Sequence, residues 1–180
     1  MTAAELIREL NQGNEELRLE FYKRYHKAAY HTAYRLVNDA AAAEDLCHDT
    51  VLHALKHLHQ LRNTDAPDGW IKTIARNFAL AHLKSRSRFE LSDSLVDDGW
   101  TDDNPTEAGH LQFSTDDILR ELNQLPEGYR IIITLHLLED LTHEEIAGEL
   151  GISPATSRSQ YLRGRQKLRK RLLDYHEQRI

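Results

Sequence analysis

Apolar residues recur at helical spacing along most of the chain, and the places where that rhythm stops divide it. Residues 3–11 read as a short helix. Asn14-Glu15-Glu16 opens a longer one, in which Leu17, Phe21, Tyr25, Ala29, Ala33 and Leu36 fall near helical spacing. Asn38-Asp39 breaks the pattern, and Asp39 suits the cap of a third helix over 40–59, with Leu46, Val51, Leu55 and Leu58 turned inward. The stretch Arg62-Asn63-Thr64-Asp65-Ala66-Pro67-Asp68-Gly69 reads as a loop, and a fourth helix follows over 68–88 on Trp70, Ile71, Ile74, Phe78 and Leu83. Helices with such short connections predict a compact bundle.

Residues 91–117 carry neither a helical nor a strand period. Asp97-Asp98-Gly99 and Asp102-Asp103-Asn104-Pro105 mark a linker there. Beyond it, Leu119, Leu122 and Leu125 predict a short helix that stops before Pro126. An apolar helix over 127–139 centres on Ile131-Ile132-Ile133. Thr142-x-x-Glu145 is a capping box opening a helix over His143–Leu150. Gly151 fits the left-handed position that ends it. Ser153-Pro154 supplies a cap and a first-turn proline for a last helix reaching about Tyr175. The predicted class is all-α: an N-terminal helical bundle (1–90), an acidic flexible linker (91–117) and a C-terminal helix-turn-helix domain (118–180).

Charge changes this picture. The net charge of −6 suits nucleic acid poorly, yet residues 91–117 hold eight acids and no Lys or Arg, so the acidity belongs to one segment. Residues 69–89 hold Lys72, Arg76, Lys84, Arg86 and Arg88 without an acid. Residues 150–173 hold Arg158, Arg163, Arg165, Lys167, Arg169, Lys170 and Arg171, also without one. Two basic stripes suggest two contacts with a polyanion; the plain alternative is two solvated helix faces. A single cysteine excludes a disulfide framework and a Cys-based zinc site. No apolar run approaches a membrane span, and the N-terminal residues lack a signal-peptide pattern, so a cytoplasmic location without membrane insertion is expected.

The segment Glu144–Ser153 has the make-up of a helix-turn-helix. Ala147 is small where two helices cross, Gly151 makes the turn, and Ile146, Leu150 and Ile152 hold the pair. The second helix is then free to present Ala155, Arg158, Ser159, Leu162 and Arg163 to a major groove, where Arg can bond guanine and Ser several bases. An ordinary helical hairpin is the competing reading.

Three segments in order resemble the sigma-70 family of bacterial transcription initiation factors, specifically its extracytoplasmic-function group. Leu141–Ser153 with Arg163-Gly164-Arg165-x-x-Leu168-Arg169 resembles the domain that reads the −35 element. Ala43–Leu55 is similar to the helix that grips core RNA polymerase. Trp70-Ile71-x-x-Ile74-Ala75-Arg76-Asn77 followed by Leu83-Lys84-x-Arg86-x-Arg88 resembles the helices that read and melt the −10 element.

The resemblance implies a non-enzymatic role without cofactor or metal, with core polymerase (β′ and β subunits), promoter DNA and an anti-sigma factor as partners. It places Asp45, Leu46, Asp49, Thr50 and His53 at the polymerase. Leu61, Arg62, Asn63 and the rest of the loop to Asp68, together with Asn77, would take an unstacked base near −10, and Arg76, Lys84, Arg86 and Arg88 would hold phosphates. The linker would thread the polymerase cleft, a plain solvated spacer being the alternative.

Three positions depart from the family pattern. Ser157 stands for an apolar residue against the core, Gln160 for Arg or Lys, and His82 for Asp or Asn. Asp45 and Asp49 as Mg²⁺ ligands, or His53 and His57 as two metal ligands, lack further ligands in the sequence. A stand-alone repressor with a sensory N-terminal domain and a helical adaptor without a nucleic-acid role are the other functional classes. Co-purification with core polymerase separates them from a sigma factor.

Overall fold

The computed structural model describes residues 1–86 and 113–177, all of whose regular elements are helical. The chain divides into two units, Met1–Phe89 and Glu90–Ile180. Expectations for the body of the linker, and for Arg88, fall outside the described residues.

In the first unit, α1 (Ala3–Asn11) opens on a capping box that the spacing analysis did not single out. The Glu5 N–H donates to the Thr2 hydroxyl at 3.2 Å, and the Thr2 N–H donates to the Glu5 carboxylate at 2.8 Å. The next helix starts later than its polar opening suggested. Asn14 makes no side-chain cap, and a 3-10 turn, Glu15–Leu17, precedes α2 (Arg18–Val37). Asn38 ends α2 in the left-handed conformation, φ 52°, and Asp39 caps α3 (Ala40–Lys56) by accepting from the Ala42 N–H at 3.0 Å. The α-helix stops short of 59 because His57 leaves helical geometry, at φ −116°, and a 3-10 turn Leu58–Gln60 follows. Helix α4 (Asp68–Ser85) likewise ends before 88, with Arg86 extended.

The core lies where α2 meets α3 and α4. Phe21, Tyr25 and Ala29 of α2 pack with Cys47, Val51 and Ala54 of α3, with Ile71, Ile74 and Ala75 of α4, and with Leu6 and Ile7 of α1. Each fully buried large apolar side chain contributes about 1.5–3 kcal/mol. Cys47 is one of these core residues, and its thiol donates to the His26 carbonyl at 3.1 Å.

In the second unit, α5 (Thr115–Asn123) begins inside the stretch assigned to the linker, which corrects the linker's end at Asp117. Ser114 and Asp117 form a capping box, and this fixes residues 115–117 as a first helical turn. The Ser114 hydroxyl, donating at 2.7 Å, is the main cause that holds the Asp117 carboxyl down at about 2. Helix α6 (Glu127–Ile133) runs into a wider π-type stretch, Thr134–Leu138. Then come α7 (His143–Leu150) and α8 (Pro154–Glu177), with the predicted Thr142 box, left-handed Gly151 (φ 69°) and Ser153 cap all present. Leu122, Leu125, Tyr129, Ile133, Leu168 and Leu172 form the core between α5, α6 and α8. Glu121 is buried beside it and accepts from Arg171 at 3.1 Å.

Helix α8 crosses α6 closely at Gly164. A Cβ there would lie 2.9 Å from Ile133 Cδ1 and 3.1 Å from Tyr129 Cβ. Gly148 in α7 has nothing within 4 Å. The same substitution should therefore act in opposite directions. Gly148→Ala is expected to stabilise by up to ~1 kcal/mol from helix propensity. Gly164→Ala is expected to lose about 1–2 kcal/mol to overpacking, even after that gain. Urea unfolding of the two variants measures both signs.

Candidate nucleic-acid interface

The turn between α7 and α8 sets what the second unit exposes. Thr142 and Glu145 cap α7, and the Gly151 N–H donates to the Ala147 carbonyl at 2.9 Å to close it. Ser153 then starts α8, accepting from the Thr156 N–H at 3.0 Å. Ile146 and Ala147 are buried beneath this turn. What α8 leaves outside is Ala155, Arg158, Leu162 and Arg163, with Ser159 half-buried and its hydroxyl donating to the Thr156 carbonyl. Leu162 is 55% exposed, unusual for a leucine that a hairpin reading would turn inward. Arg158 is tied across the turn to Glu144 at 3.2 Å, a contact that the spacing did not reveal.

Two of the unusual residues on α8 face inward. Ser157 is fully buried, as expected, and the missing apolar contact is replaced by a hydrogen bond to His143 Nδ1 at 2.9 Å. Gln160 is 2% exposed, so it offers nothing to an outside ligand.

In the first unit, the loop before α4 carries Arg62 and Asn63 exposed and Leu61 half-buried against the core. The Asn63 side chain accepts from the Asp65 N–H at 3.1 Å and shapes the bend. Asn77 projects to solvent from α4, seven residues before Lys84 and so on nearly the same face. Lys72, Lys84 and Arg86 are also exposed. Arg76 departs from the expected cationic stripe. It is half-buried, and its Nε is enclosed without a hydrogen-bond partner among the described residues.

On α3, Asp45 and Asp49 are exposed. Thr50 is not available to a partner, which corrects its assignment to a contact surface, and Leu46 is reached only through the lining of a groove. Thr50 is fully buried with its hydroxyl donating to the Leu46 carbonyl at 2.7 Å, and Leu46 is 9% exposed. They follow the core stripe, since α3 can hide only one face. Leu52 takes their place outside, 41% exposed, in line with Asp45, Asp49 and Lys56 at helical spacing. Its phase against Leu46, Val51, Leu55 and Leu58 is the signal that could have found it. Leu46, Asp49, Leu52, His53 and Lys56 line a groove of about 470 Å³ with Phe78 and His82 of α4. His53 is half-buried there, its ring edge-on to Phe78 at 5.3 Å and to His57 at 4.2 Å. Burial, and then the neighbouring His53, push the His57 pKa down. Among the described residues no three His, Cys, Asp or Glu side chains come together as metal ligands, and no helix is long and apolar enough to cross a membrane.

Residues 21–89 match the family model for sigma-70 region 2, and residues 115–168 match that for sigma-70, region 4. The chain belongs to the sigma-70 family. The sigma factor is similar to the ECF RNA polymerase sigma factor SigE of Mycolicibacterium smegmatis, 30% identical over 154 residues, 83% of this chain and 59% of that protein. It is similar also to the ECF RNA polymerase sigma factor SigM of Bacillus subtilis, 28% identical over 152 residues, 83% of this chain and 91% of that one. The chain thus spans less than two thirds of the mycobacterial relative and nearly all of the other. Among solved structures it resembles the sigma factor RpoE in complex with the anti-sigma factor NepR from Bartonella quintana. That likeness has 27% identity, 83% and 91% coverage of the two chains, and a TM-score of 0.49. The protein is an extracytoplasmic-function RNA polymerase sigma factor, of the class that directs promoter-specific transcription initiation.

The buried and exposed halves of α3 predict opposite phenotypes. Thr50→Asp puts a carboxylate into the core and should unfold the first unit. Asp49→Lys should leave its helicity and melting temperature within the error of wild type. Circular dichroism with thermal melting distinguishes the two.

Proposed function

We propose that this sigma factor docks on core polymerase through the exposed strip of α3, reads the −35 element with α8, and uses the loop before α4 with Asn77 to hold a base of opened −10 DNA. The reading is supported above all by the exposed face of α8. Ala155, Arg158, Leu162 and Arg163 stand outside a turn whose caps and packing are complete. Such a face fits a major groove, and its arginines match guanine edges and phosphates.

The docking strip is Asp45, Asp49 and Leu52, with His53 and Lys56 at the rim of the groove toward α4. Two carboxylates around an exposed leucine suit a basic surface with an apolar centre, which here is assigned to the β′ subunit, the β subunit contributing elsewhere. Leu46 lines the same groove, and Thr50 acts behind it in the core.

In the −10 region, Arg62, Asn63 and Asn77 are the exposed polar groups that can bond a base edge. Flipping that base costs a few kcal/mol, and Lys84 and Arg86 supply phosphate attraction toward it. Arg76 is left as a packing residue. An anti-sigma factor is a further expected partner, and a cytoplasmic location follows from work on polymerase. Core polymerase supplies the chemistry of transcription.

The test is in vitro transcription with core polymerase across a promoter library, with the same holoenzyme examined in variants. Arg158 and Arg163 are five residues apart and diverge by roughly 140° on a helix, so they should differ. Arg158→Ala should relax preference at one −35 base, worth ~1–3 kcal/mol of discrimination. Arg163→Ala should weaken binding evenly and flatten its salt dependence. An unchanged −35 preference in Arg158→Ala would remove it as a base reader. Duplex binding as tight without core polymerase as with it would instead favour a repressor.

At the other surface, Asp45→Lys with Asp49→Lys should lower affinity for core polymerase at least tenfold while promoter preference in residual transcription stays the same. Asn77→Ala should reduce open complexes, read by permanganate, more than closed ones. Equal loss at both stages would place Asn77 on duplex DNA.

A further inference from the structure

Ser157 and Arg158 are consecutive residues about 100° apart on α8. One faces the core and the other faces outward. Each is held by a residue at the start of α7: Ser157 by His143 at 2.9 Å, and Arg158 by Glu144 at 3.2 Å. These two adjacent contacts bridge the turn. Ser157 is wholly buried, so its hydroxyl requires a partner, and His143 Nδ1 is that partner.

The His143 ring is itself fixed. It stacks on His136 of the π-type stretch, with centroids 4.4 Å apart and planes 20° from parallel. Tyr161 of α8 meets both rings edge-on, at 4.7 Å and 5.5 Å. His136 Nδ1 lies 2.8 Å from the Leu141 carbonyl, which can only accept, so that nitrogen carries a proton. The stack therefore ties together the end of α6, the start of α7 and the start of α8.

We infer that His143 is a positioning residue for −35 readout, setting the rotation of α8 through Ser157 so that Arg158 faces the groove. The inference rests on the reading of α8 as the −35 helix. If Ser157 is released, α8 can rotate, and the direction of Arg158 rotates with it. Glu144 then steadies the Arg158 side chain rather than the helix.

This position has a chemical signature. His143 is faced by His136 from the π-type stretch, by Glu144 on its own helix, and by Arg158 and Tyr161 from α8, with Arg165 over the far side of Tyr161 at 5.7 Å. Burial first, then His136 and Arg158, hold the imidazole below its ordinary pKa, and Glu144 opposes them weakly. The latched state thus binds a proton less readily than the released one. The latch is complete above the ordinary histidine value and loosens as pH falls below it.

The experiment uses holoenzyme and a promoter library at pH 7.5 and pH 5.8. His143→Ala should blur preference at the base that Arg158 reads and leave −10 preference intact. His143→Gln, which can still bond Ser157 but does not titrate, should restore the −35 preference. The apolar pair His143→Leu with Ser157→Val should restore it as well. Wild-type affinity should fall by roughly threefold or more between the two pH values, relative to the Gln variant and the apolar pair. If His143→Ala fails to fold, the pH comparison decides alone. A wild-type profile parallel to that of His143→Gln overturns the role. Arg158→Ala keeps the two readings apart. A relaxed preference there, with an unaltered one in His143→Ala, overturns the positioning role only. An unaltered preference in both variants overturns the reading of α8 and the positioning role with it.

Discussion

Helix α8 meets its domain along one line: Ser157, Gln160, Gly164, Leu168 and Leu172 are its buried residues. A 24-residue helix so polar cannot be held by apolar burial along its whole length. Its C-terminal half is held by leucines against α5 and α6. Its middle is held by the absence of a side chain, since Gly164 lets Ile133 and Tyr129 approach the backbone. Its N-terminal turns, the ones proposed to read DNA, are held by polar contacts from α7 and by the Ser153 cap. The part of α8 that presents Ala155, Arg158 and Leu162 to solvent is therefore the part with the least hydrophobic support. Directional hydrogen bonds substitute for it there.

The first unit meets the same constraint differently. Helix α2 packs against both α3 and α4, so its apolar stripe is wide and Phe21, Tyr25, Ala29, Ala33 and Leu36 vanish into the interior. Helices α3 and α4 each bury one face and keep the other. On α3 the exposed face is acidic around Leu52, and on α4 it carries Asn77 and Lys84. Opposite chemistries can occupy neighbouring helices because each needs only half of its helix for folding. Segregation of charge along the chain serves the same end. A net charge of −6 coexists with cationic surfaces because eight acids lie between residues 91 and 117.

Local signals with a fixed geometry were legible in the sequence. The capping box at Thr142, the glycine turn at Gly151, the Ser153-Pro154 start and the Asp39 cap each act within four residues, and each predicted the helix end it marks. The order of three family-like segments was legible for the same reason, since it depends on residue identity alone. Boundaries that depend on where a chain leaves its helix were not. His57 and Arg86 change conformation without a proline or glycine to announce it. The start of α5 was hidden because Ser114 and Asp117 sit in a run of acids that otherwise reads as linker.

Which side of a helix a residue occupies was decided by tertiary structure. Leu46, Thr50 and Arg76 have the composition of contact residues, and packing took all three wholly or partly inward. Leu52 has the composition of a core residue and was left outside. The pairs Glu144–Arg158 and His143–Ser157 span fourteen residues and a turn, so no periodicity reports them. Sequence by itself determined the helices, their caps and the family, because those rest on interactions between near neighbours. Only the folded chain determined which atoms are free to bind, because exposure is set by what the other helices cover.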